Sequence, residues 1–322
     1  MFHLERIASI FFGMEKDMIH ETHNIRVEGS LPDARLVTYI LDDAANIMID
    51  TRPLVLICPG GGYGYTSDRE AEIFAMQFLA MGYHAAVLRY SCAPARYPVA
   101  LAELAKSVLL IRENAREWHV NPNQILVLGC SAGGHLAASL GVFWQEDFLA
   151  EALGLGCDKC AQAGFETSAA QAESKRQSAR EMLRPDGMIL CYPVITSGEF
   201  AHKGSIENLL GDKLEELEAK MSLENQVTEQ TPPAFIWHTF TDGSVPVENS
   251  LLFVSALRRA GVSTEFHMYP CGGHGLGLAN RLSMSASGSG VQEECSSWIS
   301  LVHTWIESKY VNKAQTSKDT LS

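Results

Sequence analysis

An α/β fold, with a mostly parallel central sheet and helices on both faces, is expected from the amino-acid sequence. The expectation rests on three features. Short continuous apolar runs, the pattern of strands covered on both faces, alternate with stretches whose apolar residues recur at helical spacing. One run, Ile125-Leu126-Val127-Leu128, breaks into Gly129-Cys130-Ser131-Ala132-Gly133 and then into an Ala- and Leu-rich helical stretch. Another, Leu54 to Cys58, ends at once in Pro59-Gly60-Gly61-Gly62-Tyr63. At 322 residues and 46% hydrophobic content, one large domain with an ample core is the simplest organisation. The formal net charge of −13 argues against nucleic acid and anionic membranes as partners.

Taken from the amino terminus, Ile7 to Phe12 is apolar but too short to span a membrane. Glu5 precedes it and no small-residue cleavage site follows, so a signal peptide is not expected. Residues 1–20 read as an extension outside the fold, with Met14 and Met18 as alternative starts, and 21–311 as a single domain. Strands are expected at Ile25-Val27 and at Leu36 to Ile40, about the turn Gly29-Ser30-Leu31-Pro32-Asp33. After the Leu54 strand, Ser67-Asp68-Arg69-Glu70 has the spacing of a capping box that opens a helix closed by Gly82. His84 to Tyr90 gives the next strand. Leu101, Leu104, Ala105, Val108, Ile111, Ala115 and Trp118 then form one face of a helix, with Trp118 in the core. Asn121-Pro122 leads into the Ile125 strand. This alternation builds a parallel sheet through right-handed crossovers.

Residues 145–185 lose the apolar stripe and read as a partly helical insertion over the carboxyl edge of the sheet. A lid or substrate wall and a solvated excursion are both open there. Gly187 to Ile195 resumes as a strand, followed by short amphipathic helices at Ser205 to Leu210 and Leu214 to Met221. Ala234 to Phe240 is a buried strand, and Pro246 sits in the first turn of the next helix. Glu265 to Tyr269 is the last strand and Trp298 to Ile306 a closing helix; the polar tail from Asn312 is expected to be disordered. The eight cysteines do not have the spacing of a disulfide framework, so a reducing, cytoplasmic location is expected. Cys157 and Cys160 form a lone C-x-x-C without a second pair, and no metal is expected there.

The chemistry lies at the ends of strands. In G-x-S-x-G between a strand and a helix, the serine occupies a sharp, strained turn, and the flanking glycines let the two backbones approach. A triple glycine at a strand end leaves backbone N–H groups free to meet an incoming oxyanion. Ser131 needs a base, and His274, in Gly272-Gly273-His274-Gly275 after the last strand, can serve. Asp242, where the Ala234 strand stops, can hold the imidazole tautomer. The order Ser, Asp, His is that of α/β-hydrolases. His135 and His238 lie nearby but are read as structural.

With these residues in place, the chain resembles the esterase/lipase branch of the α/β-hydrolases that holds bacterial acetyl esterases and acetylxylan esterase-like proteins. The resemblance runs from about Ile25 to Ile306. It is carried by Pro59 to Tyr63, Gly129 to Leu136, Arg184-Pro185-Asp186, Tyr192 to Ile195, Thr231-Pro232-Pro233, Asp242 to Ser250 and Gly273-His274-Gly275. It implies the α/β-hydrolase fold and a triad of Ser131, Asp242 and His274. It further implies an oxyanion hole from the amides of Gly61 or Gly62 and of Ala132, with no cofactor. The implied substrate is a small-molecule ester with a short acyl group, its alcohol a sugar. Tyr63, Trp144 and His202 are candidate sugar contacts, each equally open to a packing or surface role. Pro59 stands where many relatives carry histidine, and Thr239 where glycine is usual. Two rival functions remain: a small-substrate amidase or peptidase, which uses the same triad and oxyanion hole, and a binding protein on a hydrolase scaffold, which would be expected to have lost a triad member. A homo-oligomer is compatible with the sequence.

Overall fold

The computed structural model describes residues 18–42, 49–155 and 169–312. Among them, eight strands form one sheet: β1 (Ile19–His23), β2 (Arg35–Ile40), β3 (Arg52–Cys58), β4 (His84–Arg89), β5 (Val120–Cys130), β6 (Gly187–Cys191), β7 (Ala234–Thr239) and β8 (Thr264–Tyr269). Their order is β1-β2-β4-β3-β5-β6-β7-β8. β2 runs antiparallel to β1 and β4, and the remaining neighbours are parallel. The helices are α1 (Glu72–Ala80), α2 (Val99–Glu113), α3 (Ala132–Phe143), α4 (Asp147–Ala152), α5 (Ala169–Glu181), α6 (Lys203–Leu210), α7 (Leu214–Leu217), α8 (Glu248–Arg259) and α9 (Trp298–Ile306).

Alternation along the central strands sorts their side chains into two cores. Leu54, Leu56 and Cys58 of β3, with Ile125 and Val127 of β5, join residues of α2, α3 and α8 on one face. Val55, Ile57, Leu126 and Leu128 join Phe74 and Phe78 of α1 and Trp298 and Trp305 of α9 on the other. Covering on both faces is why these strands read as unbroken apolar runs.

Three expectations need correction. The first strand is the polar Ile19–His23, paired with β2 from Ile19↔Ile40 to His23↔Leu36, not Ile25-Val27. Ile25 and Val27 instead pack on the core from the turn that follows, and an edge strand open to solvent does not need apolar residues. The capping box does not form: Ser67 makes no side-chain cap, Glu70 turns inward, and α1 starts only at Glu72. Gly82, at φ +86°, does close that helix.

The third concerns 145–185. α3 starts at the carboxyl edge of the sheet and runs back about 18 Å, twelve residues at 1.5 Å each, to the amino edge. There Asp147 of α4 pairs with Arg180 of α5 at 2.9 Å. The Arg112 guanidinium donates to the carbonyls of Pro122, Met182 and Arg184 and to Asp186 Oδ2. Asp186 in turn accepts from the amide of Ile125, where the parallel stretch of β5 begins. These parts therefore hang from the amino edge, away from Ser131, and do not cover the carboxyl edge. Ile7 to Phe12, Cys157 with Cys160, residues 156–168 and the tail from 313 lie outside the described residues. Among the described residues, no helix is long and apolar enough to cross a membrane.

Candidate active site

Ser131 joins β5 to α3 at φ 54° and ψ −119°, a backbone conformation that costs a side-chain-bearing residue about 1–3 kcal/mol. The glycines make the turn possible. A Cβ on Gly129 would collide with the Gly133 carbonyl, and one on Gly133 with the Cys58 carbonyl. The turn is locked by Ser131 N–H to the Cys191 carbonyl (3.0 Å), and its own carbonyl accepts from the amides of Val194 (3.0 Å) and His135 (3.1 Å).

The side chain of Ser131 meets the loop after β8. Its Oγ lies 2.7 Å from His274 Nε2, and His274 Nδ1 donates to Asp242 Oδ2 at 2.7 Å. With Nδ1 protonated towards the carboxylate, Nε2 keeps the lone pair that faces the serine hydroxyl. Asp242 Oδ1 accepts from the amides of Ser244 and Val245, both at 3.0 Å. Burial works to raise the Asp242 pKa, but hydrogen bonds from His238, His274 and the Val245 amide outweigh it and hold the carboxyl well below the usual carboxylate range.

His238 is the hidden member of this group. It is fully buried in β7, and its Nε2 lies 3.0 Å from the Val245 carbonyl and 3.3 Å from Asp242 Oδ2. Ser250 Oγ donates to its Nδ1 at 2.8 Å, which fixes the tautomer that faces the carboxylate. Thr239, where a glycine was expected, serves the next loop: its Oγ1 donates to the Gly272 carbonyl at 2.9 Å, as does Thr241 Oγ1 at 3.1 Å. Two hydroxyls thus anchor the turn that presents His274.

On the opposite side, the glycine loop lies against Ser131. A Cβ on Gly60 would stand 3.1 Å from that of Ser131. The Gly60 amide is not free, since Glu70 Oε2 accepts from it at 2.8 Å. Gly61 and Gly62 have positive φ (129° and 63°), and among the described residues their amides meet no protein acceptor. Ala132, the first residue of α3, has an amide with no partner within its helix. Pro59 removes no useful donor, and its carbonyl accepts from Tyr90 Oη at 2.7 Å.

Glu70 is 3% exposed, and its second oxygen takes a 2.6 Å hydrogen bond from Tyr192 Oη. That hydroxyl accepts from the Gly277 amide at 3.0 Å, and the Tyr192 ring stands edge-on to His274, 5.2 Å between centroids. One carboxylate therefore ties the glycine loop to the loop carrying His274.

The three candidate sugar contacts separate. Tyr63 is 2% exposed, and its hydroxyl donates to His135 Nδ1 at 3.0 Å; it packs, and does not face a substrate. Trp144 is buried at the far end of α3 with Nε1 on the Gln230 carbonyl (3.3 Å), so it too is core. His202 stays at the site. It caps α6 by accepting from the Ser205 amide, and burial followed by repulsion from His274 lowers its pKa against the pull of Asp242. His135 is structural as expected: its Nε2 donates to the Met221 carbonyl, and burial pushes its pKa down to about 4.

Sequence reasoning missed Glu70, Tyr192 and His238 as parts of this site. The signal for His238 was a polar residue inside an otherwise apolar strand, since a buried imidazole needs partners. For Glu70 the local spacing pointed the wrong way.

Known proteins bear on this geometry. The model of the BD-FAE family matches residues 44–257. An endo-1,4-beta-xylanase B from Butyrivibrio fibrisolvens is 35% identical over 71% of this chain and 33% of its own length. An acetylxylan esterase from Xylanibacter ruminicola is 29% identical over 68% of this chain and 40% of its own length. The chain thus spans between a third and two fifths of these curated relatives. Among solved structures, an acetyl ester-xyloside bifunctional hydrolase from Caldicellulosiruptor lactoaceticus is 33% identical with a TM-score of 0.71, covering 92% of this chain and 98% of that one. A carboxylesterase from Lactobacillus plantarum is 27% identical, also at a TM-score of 0.71, covering 91% and 98%. By the matched span and the shared architecture, the chain belongs to the BD-FAE family and has the α/β-hydrolase fold.

Proposed function

We propose that the protein is a serine carboxylesterase that removes short acyl groups, acetyl above all, from sugars or xylo-oligosaccharides. The observation that supports it most is the continuous relay from Ser131 Oγ through His274 to Asp242, 2.7 Å at each step, beside the unspent amides of Gly61 and Gly62. In the first half-reaction Ser131 Oγ attacks the ester carbonyl carbon while its proton passes to His274 Nε2. The carbonyl oxygen becomes an oxyanion and accepts from Ala132 N–H and from Gly61 or Gly62 N–H. Collapse breaks the carbon–oxygen bond to the alcohol, which leaves with the proton from Nε2. Water then attacks the acyl-serine by the same route, releasing the carboxylic acid and restoring Ser131. Asp242 stays ionised and stabilises the imidazolium. The names of two relatives, an acetylxylan esterase and an acetyl ester-xyloside bifunctional hydrolase, support the sugar alcohol.

The test is turnover of acetyl, butyryl and octanoyl 4-nitrophenyl esters by the parent chain and by Ser131→Ala. The proposal expects rates that fall with acyl length and a loss in the variant of about a millionfold in kcat. Turnover that survives Ser131→Ala refutes the mechanism. A parent inactive on every ester but active on anilides moves the function to an amidase.

A further inference from the structure

The carboxyl edge holds a second concave surface that the reaction above does not use. A cavity of about 420 Å³ opens beyond the end of β4, with Asp33, Arg35, Tyr65, Thr66 and Asp68 in its wall. β3 lies between β4 and β5, so this cavity stands two interstrand spacings, about 10 Å, from the strand that carries Ser131. The glycine loop bridges the gap. Tyr65 Cδ2 comes within 3.2 Å of where a Gly61 Cβ would stand, and yet Tyr65 is 66% exposed. Its ring therefore lies open to solvent between the expected oxyanion donors and the cavity.

The chemistry of the wall narrows the ligand. Arg89 is neutralised by Asp68 (2.8 Å) and Glu72 (2.6 Å). Asp33 and Arg35 have no ion-pair partner among the described residues, and Arg35 donates only to the Asp33 carbonyl, at 2.9 Å. With the Asp33 carboxylate and the Arg35 guanidinium both in the wall, the cavity presents no single sign of charge to hold a strongly charged ligand. A long acyl chain meets a wall that is mostly polar, with Leu31, Cys92 and Ala93 as its apolar part. A neutral ring with one C–H face and a rim of hydroxyls suits both parts: the tyrosine covers the face, and the charged groups accept and donate around the rim.

We infer that this cavity is a subsite for a neutral sugar unit, one or two units along an oligosaccharide from the unit whose ester is cleaved, with Tyr65 as its stacking platform. The assignment rests on the reading of Ser131 as the nucleophile of a sugar esterase, and it deepens that reading by requiring an oligomeric substrate.

Binding and turnover test it separately. Ser131→Ala is titrated calorimetrically with unacetylated xylotetraose and cellotetraose, and the same is done with Ser131→Ala/Tyr65→Ala. Binding of one tetrasaccharide by the first protein, weakened about tenfold in the second, is expected from the loss of one stacked ring. No binding of either sugar overturns the subsite, even where 4-nitrophenyl acetate turnover upholds the esterase. In otherwise wild-type protein, Tyr65→Ala is expected to lower the ratio of kcat/KM on acetylated xylotetraose to that on 4-nitrophenyl acetate about tenfold, with Tyr65→Trp restoring it. An unchanged ratio shows that Tyr65 merely supports the glycine loop, and overturns the inference.

Discussion

Glu70 carries more of the site than its distance in sequence from Ser131 suggests. Its two oxygens hold the Gly60 amide and the Tyr192 hydroxyl. The first bond turns that amide away from the substrate and leaves Gly61 and Gly62 as the loop's free donors. Glu70→Ala leaves a buried N–H and a buried hydroxyl without their acceptor, at about 1–3 kcal/mol each. Glu70→Gln keeps one acceptor oxygen. On the proposed mechanism, kcat in the alanine variant should fall about a hundredfold, the scale of a misplaced oxyanion donor, with KM little changed. The glutamine variant should recover part of it. Steady-state kinetics on 4-nitrophenyl acetate decides the matter, beside urea unfolding of both variants. A loss that tracks only the unfolded fraction at assay temperature would reduce Glu70 to a structural group. His238 acts in a similar indirect way, as a buried imidazole that contacts Asp242 and so sets where its carboxylate points.

Strands β3 to β7 and helices α2, α3 and α9 were legible because each buries an apolar face whose period shows in a single segment. The elbow was legible from its own motif: Gly129 answers to a collision with Gly133 four residues on, although Gly133 answers to Cys58 on the neighbouring strand. Thr239→Val tests a less local feature. It removes one of the two side-chain hydroxyl donors to the Gly272 carbonyl while keeping the volume. Activity should drop about threefold to tenfold with little loss of stability, because one neutral hydrogen bond is worth about 1 kcal/mol. The measurement is kcat on an acetyl ester alongside thermal unfolding, and an unchanged kcat means Thr241 alone suffices. What stayed hidden in the sequence shares one cause. β1 is polar because an edge strand faces water. Glu70 sits where a capping box would use it, but its partners come from residues 60 and 192. The docking of residues 182–184 depends on Arg112, which no local pattern links to them.

Stability of the entire chain should depend on pH through buried histidines, His84 in β4 and His135 in α3. Burial lowers the pKa of His84 to about 4, and that of His135 to about 4, from an ordinary value near 6.5. His84 is neutral in the fold, with Nδ1 accepting from the Leu41 amide and Nε2 donating to the His119 carbonyl. Between about pH 6.5 and 4 the unfolded chain binds protons at these two positions and the folded chain does not. Stability is therefore fully present above pH 6.5 and falls as pH drops through that window. Below it, protonation of Asp242, whose carboxyl is held low in the fold, extends the loss. Urea midpoints at pH 7, 5.5 and 4.5 should decline steadily, and His135→Gln should flatten the decline. A midpoint constant across the range would show that neither histidine is buried in its neutral form.

The grip of Arg112 on the carbonyls of Pro122, Met182 and Arg184 has a mechanical meaning. A force applied to α4 or α5 runs into the C-terminal end of α2 and the starting ends of β5 and β6. The loops that carry Ser131, Asp242 and His274 stand at the other end of those strands, outside the line of tension. The molecule can be tethered to a support or to another domain by that flank with its mouth unloaded and facing outward.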